Sequence, residues 1–161
     1  MNKELSGSAK RIQEFLILNG FSCLVEELPS STRTAEEAAQ AIGCEVAQIA
    51  KSLVFMDKNS EKPILVIASG INRVDTVKIE KSTGLKLIKV DGKFVKEKMG
   101  FAIGGVPPVG HLEKVTTLLD PTLKNFKWLW AAAGTPFAVF KLRSDEIENM
   151  TGGTFVDLKC D

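Results

Sequence analysis

Apolar residues recur along the chain at two spacings, and these spacings predict most of its secondary structure. Helical spacing with capping residues predicts helices over residues 9–18, 34–42, 76–82 and 91–99, with further helical starts at Pro121 and Ser144. Apolar runs bounded by turn residues predict strands over residues 23–28, 49–56, 63–69, 85–90, 115–119, 128–133, 137–142 and 154–158. Because these segments mix without a regular β–α–β rhythm, we expect an α+β fold with a mixed sheet.

One segment fits neither pattern. Residues 104–111 have the sequence Gly-Gly-Val-Pro-Pro-Val-Gly-His, which excludes both a helix and a central strand and predicts a loop. Its glycines leave backbone amides uncovered, so the loop can present N–H groups to a carbonyl oxygen or a phosphate. A tight connection between two strands explains the same residues equally well.

Lys51 interrupts an otherwise apolar strand. Alternation along the strand places it on the same face as Leu53 and Phe55. A lysine in that position either pairs with an acid, reaches a cleft or has a lowered pKa. The local pattern by itself favours an edge lysine whose aliphatic part covers apolar neighbours while its amine reaches solvent.

His111 is the single histidine, and its side chain is the one expected to titrate near neutral pH. It can act as a general base or can cap its own loop by bonding to the backbone. No Asp or Glu stands at triad spacing, which favours the cap. The segment 134–136, Gly-Thr-Pro, is typical of a hairpin turn, although the Thr135 hydroxyl can also offer a ligand a hydrogen bond.

Composition indicates an ordinary globular protein. The 161 residues are 44% hydrophobic and 25% charged, which predicts one domain over residues 1–161. Lys and Arg total 21 against 20 acidic residues, and this net charge of +1 excludes a strongly basic nucleic-acid coat protein. Three separated cysteines predict no disulfide framework and no zinc site, so we expect a cytoplasmic protein. No apolar run is long enough to imply a membrane partner.

The sequence also contains a lysine-rich stretch and a pair of tryptophans. Residues 78–98 hold seven lysines against three acidic residues, a surplus that can steer a phosphate backbone but is also typical of solvated helix faces. Trp128 and Trp130 are two residues apart on one predicted strand, and we expect both in the core.

The chain resembles the YbaK family in three ordered segments: Thr34-Ala-Glu-Glu-Ala-Ala39, Ile49-Ala-Lys-Ser-Leu-Val-Phe55 and Gly104-Gly-Val-Pro-Pro-Val-Gly-His111. This family of aminoacyl-tRNA deacylases includes the prolyl-tRNA synthetase editing domain. The similarity extends from about Ser8 to Asp157. The resemblance implies a strongly curved, barrel-like mixed sheet flanked by short helices.

The resemblance also implies a function. The expected reaction is hydrolysis of the ester between a wrong amino acid (Cys, Ala, Ser or Thr) and the 3′-terminal adenosine of a tRNA, often tRNA for proline. Lys51 would be the essential lysine, and the amides of Gly104 and Gly105 are candidates to stabilise the oxyanion. Contact with the substrate is implied for Ser52, Val106, Pro107, Pro108, His111, Gly134 and Thr135, with the Gly134–Thr135 turn at the opposite wall of the pocket.

An aminoacyl ester is already activated, so we expect no metal and no cofactor. The expected partners are aminoacyl-tRNA, through its terminal aminoacyl-adenosine, and prolyl-tRNA synthetase; no DNA partner is expected. Two other interpretations stay open: a binding module of the same fold without turnover, and a small hydrolase that uses His111 as base on another ester.

Overall fold

A computed structural model describes residues 5 to 161. Its helices are α1 (Gly7–Leu18), α2 (Ala35–Ile42), α3 (Thr76–Thr83), α4 (Gly92–Met99) and α5 (Ile147–Thr151). Its strands are β1 (Val25–Glu27), β2 (Ile49–Asp57), β3 (Pro63–Ser69), β4 (Leu87–Lys89), β5 (Thr116–Leu119), β6 (Trp128–Ala132), β7 (Ala138–Arg143) and β8 (Thr154–Phe155). Short 3₁₀ turns cover Val46–Gln48, Pro121–Asn125 and Ser144–Glu146.

The predicted α+β fold with a mixed sheet is confirmed. All eight strands belong to one sheet, in the order β1-β7-β6-β2-β3-β5-β8, with β4 paired to β2 beside this path. The pairs β2–β6, β3–β5 and β5–β8 are parallel, and the other pairs are antiparallel. The strands predicted over residues 23–28, 85–90 and 154–158 are shorter than expected. Within residues 5–161, no helix is long and apolar enough to cross a bilayer.

Strand β2 is paired along most of its length on one edge but only at its two ends on the other edge. One edge pairs with β3 from Ala50 to Met56. The other edge pairs with β6 only at Ile49 and Ala50, and with β4 only from Phe55 to Asp57. Residues 51–54 therefore have no strand partner on that edge, and the gap between β6 and β4 opens beside them.

Both faces of the sheet are covered at β3, which explains the unbroken apolar run of that strand. Leu65 and Ile67 point into the larger cluster beneath α1 and α4, whereas Ile64, Val66 and Ala68 point into a second cluster with α3. Along β2, Val54 packs on the first cluster and Leu53 and Phe55 on the second. The alternation therefore holds, and it assigns Lys51 to the face of Leu53 and Phe55.

Helix α2 is fixed at both ends by its sequence. The Thr34 hydroxyl accepts a hydrogen bond from the Glu37 amide at 3.1 Å, and Gly43 ends the helix with a φ of 84°. Its three buried alanines (Ala35, Ala38, Ala39) pack with Ile49 in a third cluster. This packing holds the start of α2 against the first residues of β2, next to the gap between β6 and β4.

We expect Phe140→Ala to lower the free energy of unfolding by about 3–5 kcal/mol, because its fully buried ring fills the larger cluster. Phe137→Ala is the matched control: that ring is 43% exposed, and its loss should cost less than about 1 kcal/mol. Urea denaturation of both variants checks the difference. Equal losses would contradict the described core.

Candidate functional site

The gap beside β2 opens into a cavity of about 320 Å³. This volume lies at the lower end of the range of small-molecule sites. Its walls come from the segment 32–38 at the start of α2, from residues 49–53 of β2, from residues 130–132 of β6 and from the 103–106 loop. The three segments that carry the family resemblance, distant in sequence, therefore meet at one cavity.

Lys51 lines this cavity and is half-buried. Burial lowers the pKa of its amine below the ordinary value, and Arg73 acts in the same direction, while Glu36 and Asp120 oppose the shift. Within residues 5–161 its amine takes part in no ion pair. A poorly solvated cation without a bonded acid attracts an anionic or carbonyl oxygen more strongly than a surface lysine does.

Ser52, the next residue, lines the same cavity. Its Oγ is buried and has no hydrogen-bond partner, the one such side-chain atom in the described part of the chain. Buried polar atoms in native proteins are almost always bonded, so an orphan at a cavity wall marks a place that a ligand or water completes.

Two further charged side chains line the cavity, and no sequence pattern predicts a role for either of them. Arg33 precedes the α2 cap, and its side chain packs so closely on Gly104 that an added Cβ there would lie 3.0 Å from Arg33 Cγ. Glu36 lies in the first turn of α2. With Lys51, these residues give the cavity a surplus of one positive charge, which favours a ligand that carries phosphate.

The 104–108 loop faces the cavity with its first residues. Gly104, with a φ of +87°, and Val106 line the wall. Gly105 is different, and the expectation that its amide can receive an oxyanion is wrong. That amide donates to the Ala102 carbonyl oxygen at 3.0 Å, and the Gly105 carbonyl accepts from the Gly134 amide at 2.9 Å. In residues 5–161 the amides of Gly104 and Val106 have no acceptor.

The Gly134–Pro136 turn does not form the opposite wall of the cavity. It lies behind the loop, where Thr135 backbone atoms approach Gly105 so closely that an added Cβ would meet them at 2.7–2.9 Å. The Pro136 carbonyl accepts from the amide and hydroxyl of Thr32, at 2.6 and 2.7 Å. The Thr135 hydroxyl accepts from the Phe137 amide at 3.1 Å, as expected for the hairpin interpretation. This turn therefore anchors two loops that build the cavity.

His111 and Pro108 lie outside the cavity, in a separate cleft with Phe15 and Met150. The Nε2–H of His111 donates to the Pro107 carbonyl oxygen at 2.7 Å, and burial lowers the pKa of the imidazole. The ring therefore caps its loop in the neutral form. This geometry gives no support to the interpretation of His111 as a base at the cavity.

The expectation that both tryptophans lie in the core is wrong for Trp128 and only partly right for Trp130, which packs against the third cluster at α2. Trp130 is half-buried and lines the cavity, and Trp128 is 37% exposed. The two rings share one face of β6, as alternation predicts, but the larger cluster lies on the opposite face, where Leu129 and Ala131 are buried.

The cavity is poor in metal ligands. Glu36 is the one acidic side chain that lines it, and no group of three or more His, Cys, Asp and Glu side chains in residues 5–161 is placed to hold a metal ion. What these side chains supply themselves is positive charge and hydrogen bonds.

A model of the aminoacyl-tRNA editing domain matches residues 29–150. The chain belongs to this family. That range contains Lys51, Ser52 and the Gly104 loop, so the match covers every element of the cavity. The family prediction is confirmed, and with it a role in aminoacyl-tRNA editing.

This chain is similar to an uncharacterized bacterial protein, to part of a synthetase and to a solved structure. It is 32% identical over 127 residues to the uncharacterized protein YwhH of Bacillus subtilis (strain 168), covering 79% of this chain and 80% of that protein. It is 30% identical over 106 residues to the proline–tRNA ligase of Limosilactobacillus fermentum (strain NBRC 3956 / LMG 18251), covering 63% of this chain but 18% of the ligase. It also matches the crystal structure of a candidate trans-editing enzyme for prolyl tRNA synthetase, with a TM-score of 0.91, 46% identity and coverage of 98% of this chain and 100% of that one.

We expect Gly105→Ala to cost at least about 2 kcal/mol of stability, because its Cβ would collide with the Thr135 backbone, which cannot yield as a side chain would. Gly92→Ala is the control. An added Cβ there meets only Ile103 Cδ1 at 3.5 Å, and alanine at this first helical position should be neutral or stabilising by up to about 1 kcal/mol. Thermal denaturation of both variants checks this expectation. An unchanged Tm for Gly105→Ala would refute the close contact between Gly105 and the Thr135 backbone.

Proposed function

We propose that this editing domain is a hydrolase that cleaves the ester between a wrongly attached small amino acid and the 3′-terminal adenosine of tRNA for proline. The observation that carries the proposal is the meeting of Lys51, on the unpaired edge of β2, with the Gly104 loop across one cavity. The proline–tRNA ligase and the candidate trans-editing enzyme among its relatives support the choice of tRNA.

The reaction demands little of the side chains. An aminoacyl ester is activated, and a water oriented by the substrate's own hydroxyl or amine can attack its carbonyl carbon. The protein then has to hold the ester in place and stabilise the negative charge that develops on the carbonyl oxygen. The cavity offers groups for both tasks, and the reaction with water requires no nucleophilic side chain.

Two backbone amides are the candidates for charge stabilisation. Because the Gly105 amide is used within its turn, we assign the oxyanion to the amides of Gly104 and Val106. Both residues line the cavity. The close packing of Gly105, which lies between them, against the Thr135 backbone restricts the movement of the loop. Donors fixed before the reaction cost no reorganisation during it.

Lys51 supplies the positive charge. Its ammonium either binds the phosphate that joins the terminal adenosine to the strand or polarises the ester carbonyl. Ser52 Oγ, which has no partner within residues 5–161, would hydrogen-bond the aminoacyl group. Lys51 is the essential residue of this proposal, and Ser52 contributes to substrate binding.

Small side chains contribute to the wall of the cavity, which supports a small amino acid as the substrate. Five alanines line it: Ala35, Ala38, Ala50, Ala131 and Ala132. A site that selects by size discriminates about 10- to 200-fold per methylene group, so neighbouring small amino acids differ in rate rather than in an all-or-none manner.

A deacylation panel tests the proposal directly. Pro-, Cys-, Ala-, Ser- and Thr-charged tRNA for proline are incubated with the protein, and ester loss is followed over the uncatalysed rate. We expect faster loss of at least one non-cognate ester than of the Pro ester. If the protein retains charged tRNA on a filter but hydrolyses none of the esters, it is a binding module instead.

We expect Lys51→Met to reduce kcat/KM on the preferred ester at least 100-fold, since one preorganised charge contact at a reacting centre contributes on the order of 3 kcal/mol. The Tm should not fall, because methionine avoids the burial of an amine. Lys62→Met, at an exposed turn lysine outside the cavity, is the control and should retain full activity. Full activity in folded Lys51→Met would refute the assignment.

A substrate without phosphate separates the two possible roles of Lys51. If its ammonium polarises the carbonyl, Lys51→Met loses activity on aminoacyl-adenosine as severely as on aminoacyl-tRNA. If it binds the phosphate, the loss is confined to the tRNA and appears mainly in KM. Single-turnover rates on both substrates distinguish these outcomes.

The pH profile of kcat/KM should have an alkaline limb. The reaction needs the charged amine, and burial places the pKa of Lys51 below the ordinary 10.5, so activity should fall as pH rises through that lowered value. Rates on aminoacyl-tRNA, a substrate on which both proposed roles of the ammonium act, measure the limb after correction for spontaneous alkaline hydrolysis. A corrected rate that stays constant up to pH 10.5 would contradict a requirement for the ammonium.

A further inference from the structure

We propose that one face of β6 and β7, carrying Trp128, Trp130 and Lys141, binds the single-stranded 3′ end of the RNA as it enters the cavity. Nucleotides that precede the terminal adenosine would stack on the indole rings. This inference rests on the proposed function for the occupant of the cavity, but its binding surface is tested independently of hydrolysis.

The surface is a continuous stripe that starts inside the cavity. Three cross-strand pairs share the face of β6 and β7 that points away from the larger core cluster: Ala132 with Val139, Trp130 with Lys141, and Trp128 with Arg143. The first pair and Trp130 line the cavity, whereas Trp128 is exposed outside it. The stripe therefore leads from the site of the ester to the surface.

The spacing suits an RNA strand. Trp128 and Trp130 are two residues apart on one strand, a separation of about 7 Å along β6. Neighbouring bases of an extended single strand are separated by a similar step. One base can therefore stack on the exposed indole of Trp128, and the next can contact the part of Trp130 that lines the cavity rather than packing on the third cluster. Sheets that display aromatic rings in this way are a common platform for single-stranded RNA.

Positive charge accompanies the two rings. Lys141 Nζ lies 4.6 Å from the ring centroid of Trp128 and 5.9 Å from that of Trp130, and Lys127 Nζ lies 5.9 Å from that of Trp128. Neither lysine forms an ion pair with any residue from 5 to 161, whereas Arg143 is paired with Asp145. Cation–π contacts at exposed sites are weaker than base stacking, so an arriving base can displace both ammonium groups towards its phosphates.

Charge and continuity favour RNA over a protein as the occupant. Aromatic rings combined with unpaired lysines match a strand of bases and phosphates. The path also ends at the cavity proposed to hold the terminal adenosine, which a docked protein would cover.

The chain provides its own optical probe for this surface. Trp128 and Trp130 are its two tryptophans, and it has no tyrosine, so intrinsic fluorescence reports on the stripe alone. A single-stranded RNA oligonucleotide that ends in CCA and carries no amino acid is titrated into the protein and into Trp130→Phe, in which Trp128 is the remaining tryptophan. We expect saturable quenching of Trp128.

Binding of the same oligonucleotide, labelled with a fluorophore and followed by anisotropy, tests the individual side chains. Trp128→Ala and Lys141→Ala should each raise Kd roughly tenfold, and only Lys141→Ala should reduce the dependence on salt. Phe137→Ala, which removes an equally exposed aromatic ring outside the stripe, should leave Kd unchanged. The proposal is overturned if the RNA does not quench Trp128 or if Trp128→Ala leaves Kd unchanged. Either result would leave protein docking as the alternative use of this face.

Hydrolysis gives a second readout. Trp128→Ala should lower kcat/KM on aminoacyl-tRNA about tenfold but leave aminoacyl-adenosine, which lacks the preceding nucleotides, unaffected. Equal losses on both substrates would overturn the role of the stripe. If the unmodified protein hydrolyses neither substrate, the proposed function fails, and oligonucleotide binding alone decides the stripe.

Discussion

The site depends on a missing strand partner. Residues 51–54 of β2 are unpaired on one edge because β6 and β4 each pair with only one end of that strand. An exposed strand edge is normally a liability, and proteins cover it with a loop or another element. Here the Gly104 loop faces the gap without sealing it, and the uncovered volume becomes the cavity.

That arrangement needs rigid support from behind, and the Gly134–Pro136 turn provides it. The turn bonds to Gly105 on one side and to Thr32 on the other, so the two loops that carry Gly104 and Arg33 are positioned by one hairpin. Because the hairpin joins β6 to β7, the loops are tied to the same strands that form the cavity wall. Groups that line the cavity can then be held accurately although they lie on loops.

The sequence alone predicts the elements and the family, and it fails where tertiary packing decides. Alternation assigned Lys51 to its face correctly because that assignment needs only the period of a strand. The same alternation does not say which face of β6 meets the larger cluster, so it cannot predict that Trp128 is exposed and that Trp130 packs only on the third cluster. The engaged amide of Gly105 depends on the Ala102 carbonyl within a turn whose shape no spacing encodes. Arg33 was missed because its neighbour Gly104 lies 71 positions away in the sequence.

Two positive regions compete as the site of contact with RNA, and their geometry separates them. In the lysine-rich stretch, Lys78 bonds to Asp157, Asp161 and the Lys159 carbonyl, and Lys86 lies 3.7 Å from Glu80. These ion pairs reduce the surplus that the sequence indicates, and the remaining lysines are distributed over α3, β4 and α4. The stripe on β6 and β7 has fewer charges, but Lys127 and Lys141 beside its rings form no ion pair within residues 5–161, and the stripe itself leads into the cavity.

A chain with a net charge of +1 cannot rely on long-range attraction to hold a whole tRNA. Short-range stacking next to the cavity requires no such field, because each base contributes where it contacts a ring. The low net charge and the placement of both tryptophans thus favour the same mode of binding. The protein would hold the last few nucleotides firmly and the body of the tRNA weakly, which leaves that body accessible to a second protein.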